Sequence, residues 1–265
     1  MHAPRRILTS WGPLFLLAGL GTALSACSGH GPPVTSQSAP GHSSAASAAG
    51  LASAGPVQLG KVVFSGNFSD PSQQWPAQAA AIPKPFVSGA TPSLTLNGST
   101  YTVQLNGPGS VAPLPDFGAT PPIDLVNVAV SSTVQPGSVS AGDAVGVVCR
   151  AISGHAYVFS VGPGDHSGAL NWSIFVQGGQ SRPLASGTVA APTQPALTIE
   201  GDCVGGAQQS PRQLVASLDG QVIGRATDTQ VSAPYAGRAG PWVSSAHGGT
   251  SATFSSFQVR AASAS

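Results

Sequence analysis

Charge is what this chain has least of. Asp, Glu, Lys and Arg make up 7% of its 265 residues, with ten basic side chains against nine acidic ones, and Lys occurs only at Lys61 and Lys84. No cluster of Lys or Arg follows Arg5-Arg6, which removes the electrostatic footprint of a nucleic-acid partner or of a basic membrane-docking patch. Aromatic residues are sparse at 6% and Met occurs once. Apolar residues never run long enough to cross the roughly 30 Å hydrocarbon core of a bilayer; Leu14 to Leu24 comes nearest and is short and interrupted by Gly. Sustained apolar spacing of three and four residues is also missing, so long amphipathic helices are not expected. Instead there are 34 Gly and 24 Pro, a composition that penalises helices and favours turns, strands and extended linkers.

The first 56 residues divide into two parts. Arg5 and Arg6 precede the apolar stretch Leu14–Leu24, and Leu24-Ser25-Ala26-Cys27 follows it. A positive start, a short apolar run and small residues before a Cys resemble the export leader of bacterial lipoproteins, with residues 1–26 as signal peptide. That resemblance implies cleavage before Cys27, a diacylglycerol on its sulfur and palmitate on its new amino group; the other reading is an ordinary secretory cleavage. Of the ten basic residues Arg5 and Arg6 would leave with the leader, so eight would face nine acidic ones and the lipid would do the anchoring. Residues 27–56 are Ser, Ala, Gly and Pro with no large apolar run, a flexible tether of roughly 30 Å typical span. The protein is thus expected on the extracytoplasmic face of a cell membrane, held by lipid, with residues 57–265 as one folded domain.

Two cysteines remain for that domain, Cys149 and Cys203, in an oxidising setting. In Val145-Gly146-Val147-Val148-Cys149 period-two alternation puts Cys149 on the face of Val145 and Val147. In Leu197–Cys203 it puts Cys203 with Leu197 and Ile199. Both sulfurs therefore point inward, as a disulfide or as two buried thiols.

Strand signals recur through the rest. Asn97-Gly98, between Leu94-Leu96 and Tyr101-Val103-Leu105, predicts a type I′ hairpin, and Asp219-Gly220 predicts a second. Val62–Phe68, Leu125–Val130, Tyr157–Val161, Leu170–Val176 and Thr253–Val259 are further strand candidates. Gln73–Ala81 offers at most a helical turn, and Pro76 opposes even that. Prolines between 106 and 122 predict a long excursion over the sheet. The expected fold is all-β, an antiparallel sandwich or jelly roll.

The order of motifs is also familiar. Phe68-Ser69-Asp70-Pro71 with Trp75, Val145–Arg150, Tyr157–Val161, Leu197–Gly205, the Asp219-Gly220 hairpin and Phe254–Val259 resemble the concanavalin A-like, laminin-G-like jelly rolls of actinobacterial lipoproteins and membrane-protein ectodomains. The resemblance covers roughly residues 60–260 and implies Trp75 as a structural plug. Ser255 and Ser256 stand where such closing strands often carry an acid, which weakens a calcium ligand there.

Chemistry-bearing groups are few. Glu200 and Asp202 are the one pair of acids spaced two apart on a strand face, as two glycosidase carboxylates in a groove would be. They read equally as a solvated strand edge, which we favour because Asp202 adjoins Cys203 and the Gly205-Gly206 turn. His155, His166 and His247 are scattered without zinc spacing. Ser167 beside Asp165-His166 has no G-x-S-x-G elbow around it, and Gly162-Pro163-Gly164 has no helix to make it a phosphate cradle. No metal or cofactor and no catalytic residue is indicated.

Rings that stack on sugars or anchor a partner are the remaining signal. Trp172 shares a face with Leu170, Ile174 and Val176, which favours core packing. Tyr235 and Trp242 fall in the Gly- and Pro-rich stretch Ala233–Ser244, expected to be a loop. Tyr235, Trp242 and Trp172 are the candidate ligand-binding residues. The expected function is a non-catalytic module binding cell-envelope carbohydrate or an envelope protein; the alternatives are a glycan hydrolase or a purely structural envelope protein.

Overall fold

The computed structural model describes residues 57–115, 125–206, 211–230, 232, 234 and 236–264. Residues 1–26, Cys27, the rest of the tether to residue 56, residues 116–122 of the expected excursion, and Tyr235 lie outside the described residues.

Strands dominate, as Gly- and Pro-punctuated β-branched segments require. One antiparallel sheet holds eight: β1 (Val57–Gly66), β3 (Pro92–Asn97), β4 (Thr100–Leu105), β6 (Val128–Pro136), β11 (Leu197–Val204), β12 (Arg212–Leu218), β13 (Gln221–Asp228) and β15 (Thr250–Ala264). Its order is β13-β12-β11-β6-β15-β4-β3, with β1 beside the second half of β15. The other antiparallel sheet holds β2 (Val87–Gly89), β5 (Gly109–Val111), β7 (Ala144–Ile152), β8 (His155–Pro163), β9 (Ala169–Gln177), β10 (Arg182–Ala190) and β14 (Arg238–Ser245), in the order β10-β9-β8-β7-β14-β5-β2. The described residues contain three single 3-10 turns and no α-helix. Two of these turns, Pro71–Gln73 and Ala79–Ala81, flank Pro76 rather than run through it.

The two sheets face each other across one apolar layer. In the seven-stranded sheet Val111, Val243, Val145, Val161 and Trp172 lie in register on the inner face. Opposite them the inward residues of β11 include Leu197, Ile199, Gly201 and Cys203, all buried. Cys149 on β7 and Cys203 on β11 form a disulfide that ties sheet to sheet, 54 residues apart in sequence. Closing a loop of that length stabilises by about 4 kcal/mol in the chain-entropy account. Trp75 plugs one end. Its ring centroid is 4.7 Å from that of Phe68, 5.5 Å from Phe257 and 5.6 Å from Tyr101, whose hydroxyl donates to the Pro76 carbonyl.

Several expectations are corrected. In the first hairpin Asn97 pairs with Thr100, so the loop is Gly98-Ser99; Gly98 takes φ +57 while Ser99 does not go positive, and no type I′ turn forms. The second is as expected, with Asp219 and Gly220 both at positive φ. The Leu125–Val130 strand begins at Val128 and runs to Pro136. Part of the proline-rich excursion, Gly109–Val111, is an edge-side strand paired to β2 and β14. The stretch assigned to a loop around Trp242 is strand β14 from Arg238 onward. Its Pro241 is tolerated because β5 pairs only with Val243–Ser245, so at Pro241 the strand has a partner on the β7 side alone.

Candidate functional site

The outer face of the seven-stranded sheet is unusual for its small, uncharged side chains. Alternation along β9 turns Leu170, Trp172, Ile174 and Val176 inward and Asn171, Ser173, Phe175 and Gln177 outward. Register then aligns Trp242, Gly146, Ser160, Ser173 and Ser186 across five strands on that outer face. Gly146 offers no side chain beside Trp242. The Trp242 indole packs edge-to-face against Phe175, centroids 5.6 Å apart at 71°. Its N–H donates to Gln177 Oε1 at 3.1 Å. Because an indole nitrogen can only donate, this bond fixes the amide of Gln177 with its oxygen toward the ring and its NH2 turned away.

Two adjoining depressions lie on this face. The first, about 480 Å³, has Trp242 and Phe175 as its floor, with Gln177, Ser88, Ser110 and Ser244 around it and Pro85 and Pro183 as walls. The second, about 420 Å³, is lined by Asn171, Thr188, Ser160 and Asp143. Both include Ser173 and Ser186. Hydroxyls are already paired in places, Ser88 with Ser110 at 3.0 Å and Ser160 with Ser173 at 2.8 Å, and Thr188 donates to Asn171 Oδ1 at 3.2 Å. No Lys or Arg lines either depression. Asp143, the one carboxylate, accepts from the backbone N–H of Ser140 and Ala246 and from the Ser245 hydroxyl. Burial alone would raise its pKa, but these donors outweigh it and hold the carboxyl below its usual range. Asp143 is committed to holding its loop.

Each residue singled out from sequence can now be placed. Trp242 lies on the outer face as strand rather than loop, 5% exposed, as floor rather than projecting ring. Trp172 faces the other way. It is half-buried against the core, and a Cβ on Gly224 of β13 or on Gly187 of β10 would meet its indole at 2.3 Å and 2.8 Å, so the ring is wedged between the sheets. Trp172 thus packs against the core from the inner face and is also one of the residues lining the second depression. Tyr235 is outside the described residues. Phe175, Gln177, Ser173 and Ser186 were missed; the signal was Phe175, an apolar ring on the polar parity of β9.

Glu200 and Asp202 lie on the outer face of the eight-stranded sheet, away from both depressions. The solvated-edge reading is overturned: β11 is flanked by β6 and β12, and Asp202 is 5% exposed. Burial, then the charge of Glu200, pushes the Asp202 carboxyl up to about 7, against the pull of Arg225. Glu200 is likewise raised by burial, with Arg260 opposing. At one end of the sandwich Tyr157 and Arg182 both donate to Asp228, at 2.9 Å and 2.8 Å. The fully buried Arg150 donates to the carbonyls of Val126, Cys203 and Gly205. Burial lowers its pKa to about 10, with Tyr157 opposing and Arg212 adding. At this end Tyr157, Arg182 and Arg150 thus donate to acceptors of the chain itself, while Arg150 Nε and Nη1 are buried without a partner. Among the described residues no three His, Cys, Asp or Glu side chains gather as metal ligands would.

No protein-family model matches the chain, and no curated protein matches it. Solved structures do. A Bacillus subtilis protein of unknown function with a galectin-like fold aligns with a TM-score of 0.50 at 10% identity, over 78% of this chain and 99% of that one. The carbohydrate-binding module CBM66 from Bacillus subtilis aligns at TM-score 0.46 and 13% identity, over 66% of this chain and 94% of that one. The GH43B protein of the Bacteroides ovatus xyloglucan PUL aligns at TM-score 0.47 and 13% identity; the chain spans 40% of its length and 77% of itself. At such identities the likeness is one of architecture. The galectin-like match agrees with the two antiparallel sheets described above and makes this domain a jelly-roll β-sandwich.

Proposed function

We propose that this chain is a membrane-anchored extracytoplasmic lipoprotein whose sandwich domain, residues 57–265, binds cell-envelope carbohydrate without catalysis through the outer face of the seven-stranded sheet. One observation carries the binding reading: an indole and a phenyl ring form the floor of a depression whose other polar groups are hydroxyls and amides. Sugar rings have that complementary character, apolar on the C–H faces and hydroxylated at the rim. The hydrolase reading has no support from placement, because the Glu200–Asp202 pair lies on the other sheet. Anchoring rests on Leu24-Ser25-Ala26-Cys27, with residues 27–56 as tether. One chain of lipid holds marginally and two or more hold stably, so an acylated Cys27 suffices without basic residues. No cofactor is required.

Binding is tested with the detergent-solubilised full chain on a glycan array followed by calorimetry. Trp242→Ala is expected to weaken binding about tenfold, the worth of one lost ring contact, with near-UV circular dichroism reporting that the sandwich persists. Trp242→Phe, which keeps a ring and loses the N–H to Gln177, should fall between. Absence of any glycan ligand, together with co-purification of one envelope protein, would replace carbohydrate by a protein partner. The anchor is tested by labelled palmitate: incorporation into the parent and its loss in Cys27→Ala, with the variant moving to the aqueous phase of a detergent extraction, is the expected result. An unlabelled parent chain contradicts it.

A further inference from the structure

The two depressions are not separate pockets. They share Ser173 and Ser186, and the outward residues of β9 pass through both in sequence, Gln177 and Phe175 in the first, Ser173 in each, Asn171 in the second. Six residue steps along a strand, from Gln177 to Asn171, measure roughly 20 Å. The continuous surface is therefore much longer than one sugar ring; the part common to both depressions follows β9 and β10, while the first also reaches across the sheet to Trp242, Ser244, Ser110 and Ser88. Its far end is pre-arranged, because Thr188 donates to Asn171 Oδ1 and fixes both exposed side chains.

Its chemistry is equally restrictive. A carboxylate or sulfate laid in this groove would lose water and meet no Lys or Arg, and an ammonium would meet only Asp143, whose oxygens already accept from Ser140, Ala246 and Ser245. Desolvating an unpaired charge is costly, whereas hydroxyls exchange water for Ser, Asn, Gln and Thr partners at little cost. The geometry points to an uncharged, linear oligosaccharide as the ligand, lying along β9 with one end over Trp242 and Gln177 and the other at Asn171 and Thr188. This rests on the carbohydrate-binding reading and adds length, direction and charge to it.

The test is calorimetry of the solubilised full chain against neutral linear oligosaccharides graded from monosaccharide to hexasaccharide, and against uronic-acid oligosaccharides of equal length. Affinity is expected to rise by at least about tenfold with length and then level once both depressions are filled. The double variant Asn171→Ala, Thr188→Ala, on exposed positions, is expected to lose about tenfold for the long ligands and nothing for the short ones, and acidic oligosaccharides to bind at least about tenfold more weakly. Affinity independent of length, or a double variant that affects short and long ligands alike, overturns the inference. If Trp242→Ala still weakens binding in that case, only the extended ligand fails. If Trp242→Ala is also without effect, the site itself fails.

Discussion

Asp202 sits 5% exposed beside Glu200 on an interior strand, and burial with that neighbouring charge lifts its carboxyl from 3.8 to about 7. Between these two values the folded chain keeps a proton that the unfolded chain has released. Stability therefore falls as pH rises through that window and levels above about 7. Asp70 and Asp143, held low by their hydrogen bonds, act oppositely: their contribution is present above pH 3.8 and is lost as pH falls below it. Urea unfolding from pH 4 to 8 is expected to show the decline in the parent and a shallower one in Asp202→Asn, where the raised Glu200 carboxyl remains. An identical slope in both would contradict the assignment. Period-two alternation puts Glu200 and Asp202 on the face opposite Cys203, and the register of β11 has them there. What alternation could not contain was that β12 and β6 would cover both flanks of β11, because that depends on partners at distant sequence positions. Trp242 shows the same limit, since Gly240-Pro241 imitates a loop unless the one-sided pairing at Pro241 is known.

At the scale of elements, the seam between β8 and β11 sets how closely the sheets approach. A Cβ on Gly201 would lie 2.2 Å from Phe159 Cδ2, so the ring occupies the space that any other residue would fill. Gly201→Ala is expected to cost about 1–3 kcal/mol by overpacking, read as a lower urea midpoint at unchanged slope. An unchanged midpoint would show the seam to be looser than described. The strands with strong alternation, β4, β8, β9 and β12, were legible from sequence, as was the Asp219-Gly220 turn. β10 was not. It is an edge strand of small residues with Pro183 near its start, and without a second neighbour it needs no alternating large apolar set. Its absence from the sequence reading hid the groove, because β10 supplies Ser186 and Thr188.

For the whole molecule, one core and one bridge join two sheets that are used differently. The eight-stranded sheet carries the buried acids on its outer face, and the seven-stranded sheet carries a ring-floored groove lined by no Lys or Arg and by one carboxylate, Asp143. Scarcity of charge, the first property of the chain, thus reappears as the property of its candidate binding surface. The central claim is that carbohydrate docks on that surface. Nitrogen-15 correlation spectra of the solubilised full chain, titrated with a neutral linear oligosaccharide, test it most directly. The Trp242 indole N–H and the backbone amides of Ser173, Phe175 and Ser186 are expected to move together and saturate. Saturable shifts confined to β11 and β12, or none with any neutral glycan, would contradict it.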